Sequence, residues 1–132
     1  MVIKGIQHIG IDTENIEESI RFYTEILGLE MLERADLGAD QAVYIKINED
    51  SVLELFVSDF QKGHRENTAG IRHMAFMVDE LETWHQRLNE KGVKIILEPV
   101  EIKAIHKKVM LFQAPDDVVI EFTTPIKQHK QT

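Results

Sequence analysis

The chain has 132 residues, 43% of them hydrophobic and 29% charged. That is enough for one compact globular domain, or two small modules sharing a core, to bury its interior unaided. Its 23 acidic against 15 basic residues give a formal charge of −8, which argues against non-specific nucleic-acid binding.

The absence of cysteine excludes disulfides, thiolate metal sites and a cysteine nucleophile, and fits a reducing cytoplasm. No apolar run approaches the roughly 18–20 residues needed to span a membrane, and the N-terminus lacks a signal-peptide pattern. A soluble cytoplasmic protein is expected.

In chain order, Ile6-Gln7-His8-Ile9-Gly10-Ile11-Asp12 alternates, is rich in β-branched residues and reads as a strand. Asn15-Ile16-Glu17-Glu18 follows as an N-cap with an acidic residue three positions on. Ile16, Ile20, Tyr23 and Leu27 recur at helical spacing, and Gly28 stands where a left-handed C-cap is wanted. Strands are predicted over Glu30–Arg34, Ala42–Ile47 and Val52–Val57, with Asn48-Glu49-Asp50 as the last turn. Phe22 and Tyr23 read as helix core.

The second half replays this order. Ile71–Val78 is a strand containing His73, and Asp79-Glu80-Leu81-Glu82 repeats the capping signature. Leu81, Trp84 and Leu88 form the helix stripe, ended by Gly92. Strands near Val93–Leu97, Lys107–Phe112 and Val118–Thr123 complete the set, with Pro115-Asp116-Asp117 as the last turn.

His8 pairs with His73 at an offset of 65, Gly28 with Gly92 at 64, and Glu54 with Glu121 at 67. Four kinds of landmark keep their order within three residues of a constant offset, which marks a duplicated βαβββ unit. The expected organisation is a single domain over 1–124 made of two modules, about 3–58 and 70–124. A polar linker covers 59–70, and the tail at 125–132 is polar.

Glu54 and Glu121 each lie inside an apolar strand, 46 and 48 residues after a histidine that is itself in an apolar run. A buried carboxylate costs several kcal/mol unless a cation or proton compensates it. One divalent ion held by His8, Glu54, His73 and Glu121 answers both burials at once. Side chains alternate along a strand, so His8 shares a face with Gly10, and Glu54 shares one with Val52 and Phe56. In the second module His73 goes with Ala75, and Glu121 with Val119 and Thr123. If the first and last strands of a module are neighbours, both histidine and glutamate point into one concavity. Gly10 and Ala75 then leave room beside them. Two imidazoles and two carboxylates suit Zn, Ni, Co, Mn or Fe(II). An octahedral ion keeps two open positions, whereas a tetrahedral one is closed and structural.

These motifs carry a resemblance. His8-Ile9-Gly10-Ile11 leading to Arg21-Phe22-Tyr23 and Leu27-Gly28-Leu29, then Leu53-Glu54-Leu55, are similar to the vicinal oxygen chelate superfamily. So are Gly70-Ile71-Arg72-His73-Met74-Ala75-Phe76 and Ala114-Pro115-Asp116-Asp117 leading to Ile120-Glu121-Phe122. The superfamily includes glyoxalase I, bleomycin-resistance proteins, fosfomycin-resistance enzymes, methylmalonyl-CoA epimerase and extradiol dioxygenases. The resemblance covers about residues 3 to 124. It implies an α+β fold in which two tandem βαβββ modules form a curved mixed sheet around a shared cavity.

The order His, Glu, His, Glu most resembles bacterial glyoxalase I. Extradiol dioxygenases and fosfomycin-resistance enzymes use two histidines and one glutamate, and the epimerase has glutamine at the place of Glu54. The resemblance implies a metal-dependent isomerase or lyase acting on a small α-oxo substrate such as a thiol hemithioacetal. Glu121 would be the chief proton-transferring residue, with Glu54 its counterpart. It also implies a homodimer. An epimerase, a dioxygenase or a non-catalytic small-molecule binding or resistance protein of the same superfamily are the other readings.

The chain departs from bacterial glyoxalase I at three places. Asp12 stands where that enzyme carries an arginine for glutathione, Ser58 replaces an asparagine, and 101–108 replaces a glycine-rich stretch. Asp12 would repel an anionic thiol conjugate. His85 beside Trp84 reads as surface or packing. Lys103, His106, Lys107 and Lys108 read as a solvated strand edge, or as a basic mouth for an anionic substrate, and His64 and Arg65 carry the same two readings.

Overall fold

The computed structural model describes residues 1–36, 41–57 and 71–126. The chain divides into two compact units, Met1–Thr68 and Ala69–Thr132. The expected linker, with Ser58, His64 and Arg65, lies outside the described residues, as does the tail beyond Ile126.

In the first unit β1 (His8–Asp12) leads into α1 (Ile16–Arg21), followed by β2 (Glu30–Asp36), β3 (Gln41–Lys46) and β4 (Val52–Val57). The sheet order is β1-β4-β3-β2, with β1 parallel to β4 and the other pairs antiparallel. First and last strands are therefore neighbours, as the two-module reading requires. Asn15 Oδ1 accepts from the Glu18 amide at 3.1 Å and starts α1. Beyond Arg21 the helix widens into a π-turn over Phe22–Ile26, with the Leu27 amide donating to the Phe22 carbonyl at 3.1 Å. The wider turn buries the adjacent Phe22 and Tyr23 together, their rings edge to face at 5.2 Å. Gly28, at φ 74°, then reverses the chain in the left-handed region. Asn48 closes the β3–β4 turn by accepting from the Asp50 amide at 2.9 Å.

The hairpin register sets Val43 against Leu55 and Ile45 against Leu53. These four are at most 1% exposed and form the buried face of the sheet, against which α1 packs at β4. Alternation sends Tyr44, Val52, Glu54 and Phe56 to the opposite face.

The second unit repeats the plan. It runs β5 (Met74–Met77), α2 (Leu81–Glu90), β6 (Ile95–Ile102), β7 (Lys107–Gln113) and β8 (Val119–Pro125). Its sheet order is β5-β8-β7-β6, with β5 parallel to β8. Leu81 and Leu88 are buried, and Trp84 meets Phe122 edge to face at 5.1 Å. Phe112 adds a second edge contact to Phe122 at 4.7 Å. Gly92 (φ 73°) ends α2, with the Val93 amide bonding the Leu88 carbonyl at 3.0 Å. Pro99 falls in β6, the outer strand, where the β6–β7 register slips between Leu97 and Val100.

Several features differ from expectation. The strand expected over 71–78 is confined to Met74–Met77, so His73 stands just before β5 rather than within it. The register sets Val119, the first residue of β8, opposite His73, as Val52 at the start of β4 stands opposite His8. The second capping signature fails: Glu80 is the cap residue, at φ 42°, with no side-chain cap hydrogen bond, and only its carbonyl is used. The last strand continues to Pro125, since Thr124 and Pro125 still pair with Lys108 and Lys107. The basic cluster is not a sheet edge. Lys103 and His106 lie in the β6–β7 turn, and β7, carrying Lys107 and Lys108, sits between β6 and β8.

Candidate metal centre

In the first unit the parallel β1–β4 ladder places Gly10 beside Glu54 and His8 beside Val52. His8 is thus one diagonal step from Glu54 on the same face. Its Nε2 stands 3.4 Å from Glu54 Oε2, with the histidine side chain 49% exposed and the glutamate 11%. His8 Nδ1 lies 2.6 Å from Gln7 Oε1, which turns Nε2 toward the carboxylate. Tyr44, directly across the β3–β4 ladder, donates its hydroxyl to Glu54 Oε1 at 2.7 Å. The two carboxylate oxygens therefore have different neighbours. That hydrogen bond, reinforced by partial burial and by the charge of Glu54, holds the Tyr44 phenol above its ordinary value of 10.0.

The second unit builds the same pair. Ala75 stands beside Glu121 in the parallel β5–β8 ladder, and His73 lies two residues before Ala75. His73 Nε2 is 3.5 Å from Glu121 Oε1, with side chains 29% and 20% exposed. The residue across the β7–β8 ladder from Glu121 is Leu111, a hydrocarbon where the first unit has a phenol.

Neither separation is a charge-assisted hydrogen bond, which runs about 2.7–2.9 Å. Zinc-type ions hold imidazole and carboxylate donors at about 2.0–2.2 Å, so two such donors on one ion stand roughly 3.0–3.5 Å apart. Both pairs meet that condition, and imidazole with carboxylate is a donor set for borderline divalent ions. Among the described residues no group of three or more His, Asp or Glu side chains gathers as a metal site, so the expected ligands appear as two separate pairs. Each unit carries one His–Glu pair of this kind.

The other singled-out residues stay apart from these pairs. His85 faces Glu98 and lies 3.1 Å from the Asn89 amide nitrogen, a packing role on α2. Lys108 is ion-paired with Glu82 at the start of α2, as Arg34 is with Glu17 on α1. Asp12 is exposed at the end of β1. Tyr44 and Gln7 were missed from sequence. For Tyr44 a signal existed: Tyr44 and Glu54 are equidistant from Glu49, at the centre of the Asn48–Asp50 turn, so a tight hairpin sets them opposite.

Comparison with known proteins gives the same fold. The family model described as Glyoxalase/Bleomycin resistance protein/Dioxygenase superfamily matches residues 5–122. A probable lactoylglutathione lyase from Synechocystis is 25% identical over 119 residues, covering 86% of this chain and 90% of that one. The metallothiol transferase FosB of Staphylococcus saprophyticus is 28% identical, covering 98% and 82%. The crystal structure of a glyoxalase family protein from Enterococcus faecalis superposes with a TM-score of 0.78 at 29% identity, covering 93% and 99%.

Proposed function

The chain belongs to the Glyoxalase/Bleomycin resistance protein/Dioxygenase superfamily, and on that basis we propose that it is a divalent-metal-dependent, glyoxalase I-like isomerase or lyase. Its substrate is a small α-oxo compound such as a thiol hemithioacetal, and it works as a homodimer in the cytoplasm. The observation that supports this is the recurrence of one His–Glu pair at the same ladder position in both units, beside Gly10 and Ala75. Duplicated packing alone has no need to preserve two ionisable side chains facing each other.

His8, Glu54, His73 and Glu121 are the residues that would hold the ion. A bound divalent ion supplies Lewis acidity toward two adjacent substrate oxygens. Glu121 takes the proton from the carbon bearing the sulfur and returns it to the neighbouring carbonyl carbon, while the hydroxyl proton passes to the former carbonyl oxygen, which converts a hemithioacetal into a hydroxy thioester. With Leu111 rather than a donor opposite it, Glu121 is the carboxylate freer to move. Glu54, bonded to Tyr44, stays in place. Small residues beside both glutamates leave space for substrate.

The test is hemithioacetal isomerisation with a panel of low-molecular-weight thiols and Ni-, Co- or Zn-loaded protein. Thioester formation with at least one pairing is expected. Absence of turnover with every thiol–metal pairing overturns the assignment. A second reading is thiol transfer by a two-histidine, one-glutamate centre, with Glu54 outside the ligand set. It is favoured by the metallothiol transferase relatives. Under that reading Glu54→Gln keeps both metal and activity.

A further inference from the structure

The two His–Glu pairs match in backbone register but differ in what surrounds the carboxylate. Glu54 presents Oε2 to His8 and gives Oε1 to the Tyr44 hydroxyl. Tyr44 sits directly opposite on the neighbouring antiparallel strand, the closest cross-strand relation a sheet offers. Both flanking residues on its strand, Val43 and Ile45, are buried in the opposite face, which holds the Tyr44 backbone in the sheet. In the second unit the equivalent cross-strand position is Leu111, whose side chain has no polar atom to offer the Glu121 carboxylate.

We propose that Tyr44 is a positioning residue that occupies one oxygen of Glu54 and thereby makes it a fixed ligand through the other oxygen alone. The inference rests on the metal-binding reading above. A carboxylate with both oxygens free can chelate an ion through either or both, and can swing away. One whose Oε1 is held at 2.7 Å by a phenol has a single oxygen left, already aimed at the space beside His8. The consequence is a division of labour between two otherwise equivalent glutamates. Glu54 is locked and Glu121 is left mobile, as a group that must take up and release a proton requires.

The experiment is Co(II) titration of metal-free wild type, Tyr44→Phe, Glu54→Gln and the double variant, followed by calorimetry and by the visible absorption of the bound ion. Tyr44→Phe is expected to weaken Co(II) affinity by about tenfold or more, and to alter the absorption bands as the freed carboxylate changes its mode of ligation. In the Glu54→Gln background Tyr44→Phe is expected to have no further effect, because the hydroxyl acts only through that carboxylate. Equal affinity and spectrum in wild type and Tyr44→Phe overturn the proposal while leaving the metal site standing. An undiminished effect of Tyr44→Phe in the Glu54→Gln background overturns it too, as does loss of the native far-UV spectrum in Tyr44→Phe, which makes the hydroxyl a folding determinant. Failure of the wild type to bind Co(II) removes the metal-binding reading itself, and with it this role.

Discussion

Gly10 stands directly beside Glu54 across the parallel β1–β4 ladder, and a Cβ built on it lies 3.4 Å from Phe56 Cε2. That is ordinary van der Waals contact, and the second unit has an alanine at this place, Ala75 beside Glu121. Gly10→Ala is therefore expected to be tolerated. Gly10→Leu adds branched carbon against Phe56 and the carboxylate, displacing Glu54 from His8. Turnover is expected to fall by about 100-fold with the far-UV spectrum unchanged, a split that steady-state kinetics and circular dichroism on both variants check.

Glu121 carries the proton in the proposed reaction. Glu121→Gln keeps the shape and the neighbours of the side chain but removes its basicity. Turnover is expected to drop by about 100- to 10,000-fold, while a small-molecule ligand still raises the melting temperature. A fully active Glu121→Gln variant would place the base elsewhere, and a binding protein would tolerate the change. Single-turnover assay beside a thermal-shift titration separates these outcomes.

Much of this arrangement was legible in the residues, for a physical reason. Duplication repeats the landmarks at nearly constant offset, and strand alternation then fixes which of them share a face. That placed His8 with Gly10 and Glu54 with Phe56, and the observed registers agree. Gly28 and Gly92, both at positive φ, were readable because few residues other than glycine accept that backbone. What escaped depended on partners distant in sequence. His73 stands just before β5, a boundary that the apolar run over 71–78 does not mark. The π-turn at Phe22–Ile26 reflects two adjacent aromatic rings sharing one core. Tyr44 looked like one more alternating strand residue, since its meaning lies in what stands across the ladder.

The Tyr44–Glu54 bond has a pH signature in the metal-free protein. The bond, followed by burial and the nearby charge, raises the Tyr44 phenol above 10.0. A phenol whose folded value is raised contributes stability that is fully present below the unfolded value. That contribution is lost as pH rises through the folded one. Wild type is thus expected to exceed Tyr44→Phe in stability by a constant margin from neutrality to about pH 10, with the margin shrinking above it. Urea denaturation of both proteins across that range, in the presence of a chelator, measures the margin.

Phe122 is 3% exposed and joins Trp84 on α2 to Phe112 on β7 and Phe76 on β5. Phe122→Ala removes the ring on which the helix and two strands converge, at an expected cost of about 3–5 kcal/mol. Trp84 is the sole tryptophan and belongs to the second unit, so its fluorescence follows that unit directly. Denaturant titration read at Trp84 is expected to show a lower midpoint, with a shifted emission maximum already in the native baseline.

The central claim is that His8, Glu54, His73 and Glu121 serve one ion rather than two. Metal stoichiometry by calorimetry, for wild type and for His8→Ala and His73→Ala separately, tests it most directly. One Co(II) per chain, lost from the same site in either variant, is the predicted result. Two sites per chain, each sensitive to only one of the histidines, or no binding at all, would contradict it.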